Sequence, residues 1–543
     1  MSRVRAPLLA VVAVIGLALS LNGCGEPAAI RAPCPAGKLC LEYGNTSEPV
    51  SLDPDKATGT WEARLIGDML EGLTRPDAKG DPIPGMATSW DVSPDGKTWT
   101  FHLRDANWSD GVPVTADDFV FALRRLLDPN TASEYASLMY VIQNAQAVND
   151  GRLPTTALGV QAVDPHTLRI NLVHPAPYLL ELTLHQTMDP VPTHVVEKWG
   201  DAWSHSDHFV ANGPYTLQQW AFGDHVRVEK NPLYYDAANV CFDQVTYYPT
   251  NDAVAAERRI RRGELDVNTD ILSDRIAFLK QPDQIPAYVR VHTWLGVNYL
   301  VFNTRDVPAF KDKRVRVALD MAIDRDFITQ KLLRGGQTSA YTFVPPGVAN
   351  YTPPAPPIWA GWSLAKRQAV ARVLLAQAGY GPGHPLTIEL KHLNSSDPML
   401  FMPAIQADWK SIGVSATLAQ EEVQIAYQDF RLRNFQVGGG AWIADYNDAM
   451  SFLYLMQSST GPQNYGDYNN PAFDALLAKA DNETDIKRRA GDLAKAEQTM
   501  LNDATVAPIY FYVNKNLVNP RITGWVDNIV DVHRARLLCV KGH

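Results

Sequence analysis

The chain has 543 residues, 46% of them hydrophobic and 20% charged, with a net charge of −10. That length is too great for one hydrophobic core and points to about two to four domains. The composition excludes a disordered chain, and the acidic balance excludes a protein that grips nucleic acid through its overall charge.

Arg3 and Arg5 give a positive start, and residues 8–21 form an apolar run. The run falls short of the roughly 20 residues of a spanning helix and suits the core of a signal peptide. Gly23 and Cys24 follow it, an arrangement similar to a bacterial lipoprotein cleavage site. Residues 1–23 are therefore expected to be removed and the Cys24 thiol to be lipidated. The mature protein is then extracytoplasmic, in the periplasm or on the cell surface, and held to a membrane by lipid. Residues 24–39, rich in Pro, Ala and Gly, read as the tether. Such a compartment has no ready ATP or reduced nicotinamide, which counts against many enzyme classes. It is also oxidising, so Cys34, Cys40, Cys241 and Cys539 are expected as two disulfides, with three pairings open. The short loop between Cys34 and Cys40 favours that pair and leaves Cys241 with Cys539. No closely spaced cysteine pair suits zinc.

Further along, Trp99, Phe101 and Leu103 alternate with polar residues and predict a half-buried strand. Residues 214–230 read as a hairpin with Phe222, Gly223 and Asp224 at its turn. Val315, Leu319, Ile323 and Phe327 lie at helical spacing within 313–334, and a Pro-rich stretch, 345–357, reads as a long surface loop. Ser363 caps an expected helix from Leu364 to Ala378 that stops at Gly379. Leu386, Ile388 and Leu390 predict another strand, and Asn470 with Pro471 opens another helix. Strands and helices mix without strict alternation, so the class is α/β or α+β.

Catalytic signatures are missing. There is no G-x-S-x-G elbow and no H-E-x-x-H. Pro94 to Thr98 ends like a phosphate loop but has Asp91 where the first glycine belongs, and so reads as a turn. His205 and His208 have no third ligand nearby and read as a polar surface turn. The paired acids Asp117–Asp118 and Glu421–Glu422 carry no assignable role from spacing alone.

Residues 99–119, which include Trp108, Ser109, Asp110, Gly111 and Phe119, closely resemble the signature of the extracellular solute-binding proteins of peptide ABC importers. Glu48–Pro54, Asp68–Leu73, Asn212–Tyr215, Arg314–Asp326 and Trp442–Asn447 follow in that family's order. With Tyr135–Ser137, Leu158–Val160 and Tyr512–Asn514, the chain most resembles the oligopeptide-binding branch of family 5. The resemblance implies a three-lobed α/β fold of the periplasmic-binding-protein type, with a ligand cleft between two lobes joined by a hinge. Domain I is expected to collect 40–70, 193–295 and 513–543, domain II to span 71–192, and domain III 296–512.

What the resemblance implies for function is capture of oligopeptides and delivery to the permease subunits of the importer, by a monomer without cofactor, metal or catalysis. An extended peptide has an N–H and a C=O at every residue, and each costs about 1–3 kcal/mol if buried unpaired. Strand-like main-chain pairing meets that need without reading sequence. The α-ammonium needs a carboxylate, and the family's aspartate falls at Asp445. Trp442, the backbone at Ala441 and Ile443, Tyr135 and the region of Thr60 are expected to line the same cleft. Enteric members have a disulfide whose positions fall at Ile443 and Gly296. Their carboxylate-binding arginine falls at Gly439, a histidine used likewise at Met399, and a pocket tryptophan at Val423. The amine anchor is kept and the carboxylate clamp is not, so the ligand's carboxyl end is expected to be handled differently. Longer peptides or cell-wall peptides are alternatives within the same scaffold. An extracytoplasmic hydrolase, or a binder of metal chelates, haem or sugars, lacks a supporting constellation.

Overall fold

A computed structural model describes residues 34–542. The expected signal peptide, Cys24 and most of the expected tether lie outside the described residues. Two disulfides, Cys34–Cys40 and Cys241–Cys539, use all four remaining cysteines.

Period-two sequence becomes sheet where expected. Thr98–Leu103 buries Trp99, Phe101 and Leu103 on one face. It pairs antiparallel with Ala87–Val92 and Thr167–Asn171, and Val160–Asp164 completes a four-stranded sheet. The stretch that ends like a phosphate loop is the turn between the first two strands. Gly96 there sits at φ +69°, where a side chain is strained, and its N–H donates to the Ser93 carbonyl at 2.8 Å.

A second sheet of eleven strands runs through most of the rest of the chain. From one edge it passes through Val414–Glu421, Leu386–Leu393, Val437–Ile443, Val289–Phe302 and Val506–Val518. It continues through Val267–Asn268, Cys40–Gly44, Gln244–Tyr248, His225–Lys230 and Tyr215–Ala221, and the eleventh strand, Thr338–Ser339, pairs with Val506–Val518 off this path. His225–Lys230 and Tyr215–Ala221 are the expected hairpin. Val289–Phe302 and Val506–Val518 are the longest strands, at 14 and 13 residues. Their pairing breaks register between Thr293 and Val297. The boundaries expected at 295/296 and 512/513 fall inside these two strands.

Helix signals are equally literal. Leu364–Gln377 starts behind the Ser363 hydroxyl, and Pro471–Asp481 behind the Asn470 side chain, which accepts from Ala472 N at 2.9 Å. The helix expected across 313–334 is corrected. It stops at Ala322, a short turn Arg325–Phe327 follows, and a wider turn completes Ile328–Leu333. The break lets Arg325 reach inward. Its guanidinium is fully buried, donates to the Ala340 and Pro508 carbonyls at 2.9 and 2.7 Å, and pairs with Asp320. Phe327 is left 44% exposed, off the apolar face its spacing suggested.

The Cys241–Cys539 bridge closes a loop of 298 residues and ties the C-terminal end to the sheet. Cross-linking so long a loop removes much of the freedom of the unfolded chain. Replacing both cysteines with serine should lower stability by about 2–5 kcal/mol in denaturant unfolding. Replacing Cys34 and Cys40, only 6 residues apart, should cost less.

Candidate functional site

Asp445 sits where a strand runs out. Val437–Ile443 pairs antiparallel with Val289–Phe302, and Ala444 N still donates to Leu295 O at 2.9 Å before the chain turns away. The turn is pinned from several sides. Asp445 N donates to the Ser451 hydroxyl at 3.0 Å, and Trp442 Nε1 to the Ser451 carbonyl at 2.7 Å. Asp448 accepts from Met450 N at 2.8 Å and is gripped by both Arg489 Nη atoms at 2.6 and 2.9 Å. The turn-forming acid is thus Asp448, which leaves the Asp445 carboxylate free for another purpose.

That purpose is set by a cavity of about 490 Å³, which Asp445 lines. One wall comes from 443–447. Facing it are Tyr135 and His185, whose rings pack 4.9 Å apart. Tyr135 Oη donates to Asp445 Oδ1 at 3.4 Å, a long bond. Thr58, Gly59 and Thr60 form a third side, held by Glu62, which accepts from Thr58 N at 3.0 Å and Gly59 N at 2.8 Å. Stacking of Tyr178 on Tyr446, 5.1 Å apart, and Arg489 over the Tyr178 ring join the two walls beside the cavity.

The electrostatics are those of a site waiting for a cation. Burial pushes the Asp445 carboxyl up to about 7, against a small opposing pull from the Tyr135 hydroxyl, and no cation lies beside it among the described residues. Burial also holds His185 down to about 4, so that ring is neutral and supplies no countercharge. Glu181, on the same cavity, is lifted to about 7 by burial and then by the charges of Asp81 and Asp448.

Of the residues expected at the site, Asp445, Ile443, Tyr135 and Thr60 are brought together on the cavity. Trp442 and Ala441 are not on its wall. Trp442 packs edge-on to Tyr454, 5.9 Å away, beneath the turn that it holds. Ala441 lies opposite Asn298 in the sheet. Sequence reasoning missed Glu181, His185, Trp294, Asp270 and Lys515, which also line the cavity. They come from four separate segments, and no local pattern links them.

The other candidate acids are structural. Asp118 holds Thr115 N at 2.9 Å and the Thr193 hydroxyl at 2.8 Å, Glu421 pairs with Lys391 at 3.0 Å, and Glu422 caps Val423–Leu432. His208 stacks on Trp199 at 3.7 Å, and no cluster of three or more potential metal ligands occurs among the described residues.

Residues 81–464 match the bacterial extracellular solute-binding proteins, family 5, middle region. The chain belongs to that family. The periplasmic oligopeptide-binding protein OppA of Escherichia coli is 40% identical over 509 residues, covering 92% of each chain. The solved structure of the E. coli murein tripeptide binding protein MppA is 37% identical, with a TM-score of 0.83, over 94% of this chain and 99% of that one. Haemophilus influenzae OppA in complex with RPPGFSPFR gives 35%, 0.82, 93% and 99%.

Within this family 5 scaffold, Gly296 and Ile443 stand opposite each other in register. A Cβ on Gly296 would lie 2.3 Å from Ile443 Cδ1, so the isoleucine side chain occupies the space over the glycine. A Cβ on Gly439 would lie 2.5 Å from Met402 Cε, so that methionine fills the place of any longer side chain. Met399 and Val423 are partly exposed apolar residues, 48% and 37% accessible.

A carboxylate attracts an ammonium only when ionised, and Asp445 keeps its proton below about pH 7. Affinity for a ligand with a free amine should therefore weaken as pH falls, approaching about ten-fold per unit well below pH 7. Calorimetry from about pH 8 to pH 5 should show this slope in the wild type and a shallower one in Asp445→Asn.

Proposed function

We propose that this chain is the extracytoplasmic substrate-binding component of an ABC importer and that its ligands are oligopeptides. The observation that carries this reading is Asp445, an enclosed carboxylate on a cavity with no cation beside it. A peptide's α-ammonium supplies the missing charge through a charge-assisted hydrogen bond. Tyr135 and Thr60 stand around that end of the ligand, with Ile443 behind it.

The main chain of the ligand has a strand edge to meet. Ile443, the last residue of the strand Val437–Ile443, and the 444–447 backbone beyond it line the cavity. A peptide laid there gains main-chain bonds without being read by sequence. In this proposal the lobes are 40–70 with 193–295 and 513–543, then 71–192, then 296–512. The two longest strands cross between the first and third, and closure brings Tyr135 to Asp445. Lipid on Cys24 keeps the monomer near the permease, and the ligand is delivered without chemical change.

The test is calorimetric. Asp445→Asn should weaken binding of a free-amine peptide ten-fold or more, as should N-acetylation of the peptide, matching about 1.5–3 kcal/mol for a bond to a charged group. Peptide recovered after incubation should have unchanged mass. Equal affinity for acetylated and free peptide in the wild type would remove Asp445 from the site, and cleaved peptide would replace the reading with a hydrolase.

A further inference from the structure

Four acidic side chains line the cavity: Glu181, Asp270, Asp445 and Asp531. Three of them have a partner. Asp531 accepts from Asn516 Nδ2 at 3.0 Å and is hydrogen-bonded to His533 Nε2 at 3.1 Å. Asp270 faces the Lys515 ammonium at 4.0 Å. Asp445 takes the Tyr135 hydroxyl and, in the function proposed above, the amine of the ligand. Glu181 differs, because its carboxylate has neither a hydrogen bond nor an ion pair among the described residues. Burial and then the charges of Asp81 and Asp448 act on it, and none of these favours the ionised form. Arg489, the cation on that side, is taken up by Asp448.

Its position is beside the amine anchor. Leu184 N donates to Glu181 O at 3.2 Å and His185 N to Leu182 O at 3.0 Å, so one continuous turn carries Glu181 and His185. The His185 ring packs on Tyr135, which bonds Asp445. At the start of the same segment, Tyr178 stacks on Tyr446, the neighbour of Asp445. Residues three or four apart on such a turn lie about 5–6 Å from each other. Glu181 follows Tyr178 by three positions and precedes His185 by four, so it stands between the two contacts that flank Asp445. There is also room around it. Glu181 and Asn447 line both the main cavity and a smaller one of about 120 Å³, so the carboxylate sits on the partition between two spaces. Lysine carries its second ammonium on a flexible four-carbon stem. With its α-amine at Asp445, such a stem reaches a carboxylate on the adjoining wall.

On the reading proposed above, we infer that Glu181 receives a second cation of the ligand, the side-chain ammonium or guanidinium of the peptide's first residue. The cleft then favours peptides that begin with lysine, ornithine or arginine, because it sets two positive charges on two separate carboxylates.

Lys-Ala-Ala, norleucine-Ala-Ala, Ala-Ala-Lys and N-acetyl-norleucine-Ala-Ala, titrated into the mature protein by calorimetry, test this. Norleucine keeps the stem of lysine and lacks its ammonium. The wild type should bind Lys-Ala-Ala about ten-fold or more tighter than norleucine-Ala-Ala. Ala-Ala-Lys should gain no such advantage. Glu181→Gln should bind Lys-Ala-Ala and norleucine-Ala-Ala alike, while Glu181→Asp, which keeps the charge, should keep part of the preference. Thermal melts of the variants confirm that each is folded. Equal wild-type affinity for Lys-Ala-Ala and norleucine-Ala-Ala removes Glu181 from this role. So does a lysine preference that survives Glu181→Gln, or one that disappears only in Asp270→Asn. In each of those cases the peptide reading stands as long as N-acetylation weakens binding. An equal advantage for Ala-Ala-Lys overturns the assignment to the first residue. If none of these peptides binds, both readings are overturned.

Discussion

A carboxylate on the wall of a cavity, with no countercharge beside it among the described residues, dominates this molecule. Asp445 pays a desolvation cost that no neighbouring arginine or lysine offsets, and only a long bond from the Tyr135 hydroxyl eases it. Such a group persists because its surroundings are over-determined. Ser451 fixes its backbone, Trp442 fixes Ser451, and the Asp448–Arg489 pair fixes the turn beyond. The empty protein is therefore less stable around this point than it could be. In the proposed function a ligand's positive charge recovers that deficit, and part of the affinity is then stored in the fold beforehand.

The large sheet explains why this charge lies where it does. Val289–Phe302 and Val506–Val518 run through its centre, and strands on either side belong to different stretches of sequence. On one side Val437–Ile443 leads into Asp445. On the other, Cys40–Gly44 and Val267–Asn268 lead to the region of Thr60 and Asp270. These two long strands pair with each other along most of their length. The irregular pairing after Thr293 lies beside Trp294, on the cavity itself.

Much of this was legible in the residues because the signals were local. Alternation at Trp99, Phe101 and Leu103, the caps at Ser363 and Asn470, and the hairpin turn at Gly223 depend on neighbours a few positions away. Asp445 was legible through the order of motifs along the chain. The break after Ala322 was not, because apolar spacing through Ile323 and Phe327 gave no hint that Arg325 would be drawn inward to two distant carbonyls. Trp442 was misplaced for a similar reason. An aromatic residue three positions before the key aspartate can serve the cleft or brace the turn, and the choice depends on Ser451 and Tyr454. Glu181 and Lys515 lie hundreds of residues apart and meet on one cavity only after folding.

The path of the chain also constrains how the protein is made. Val506–Val518 occupies the centre of the large sheet, and Cys539 joins a residue almost three hundred positions earlier. A nascent polypeptide lacking its final forty residues has a gap between strands that emerged long before. The large sheet thus stays incomplete until the tail of the chain has been made. A prematurely terminated product is left with an open seam in the middle of the large sheet.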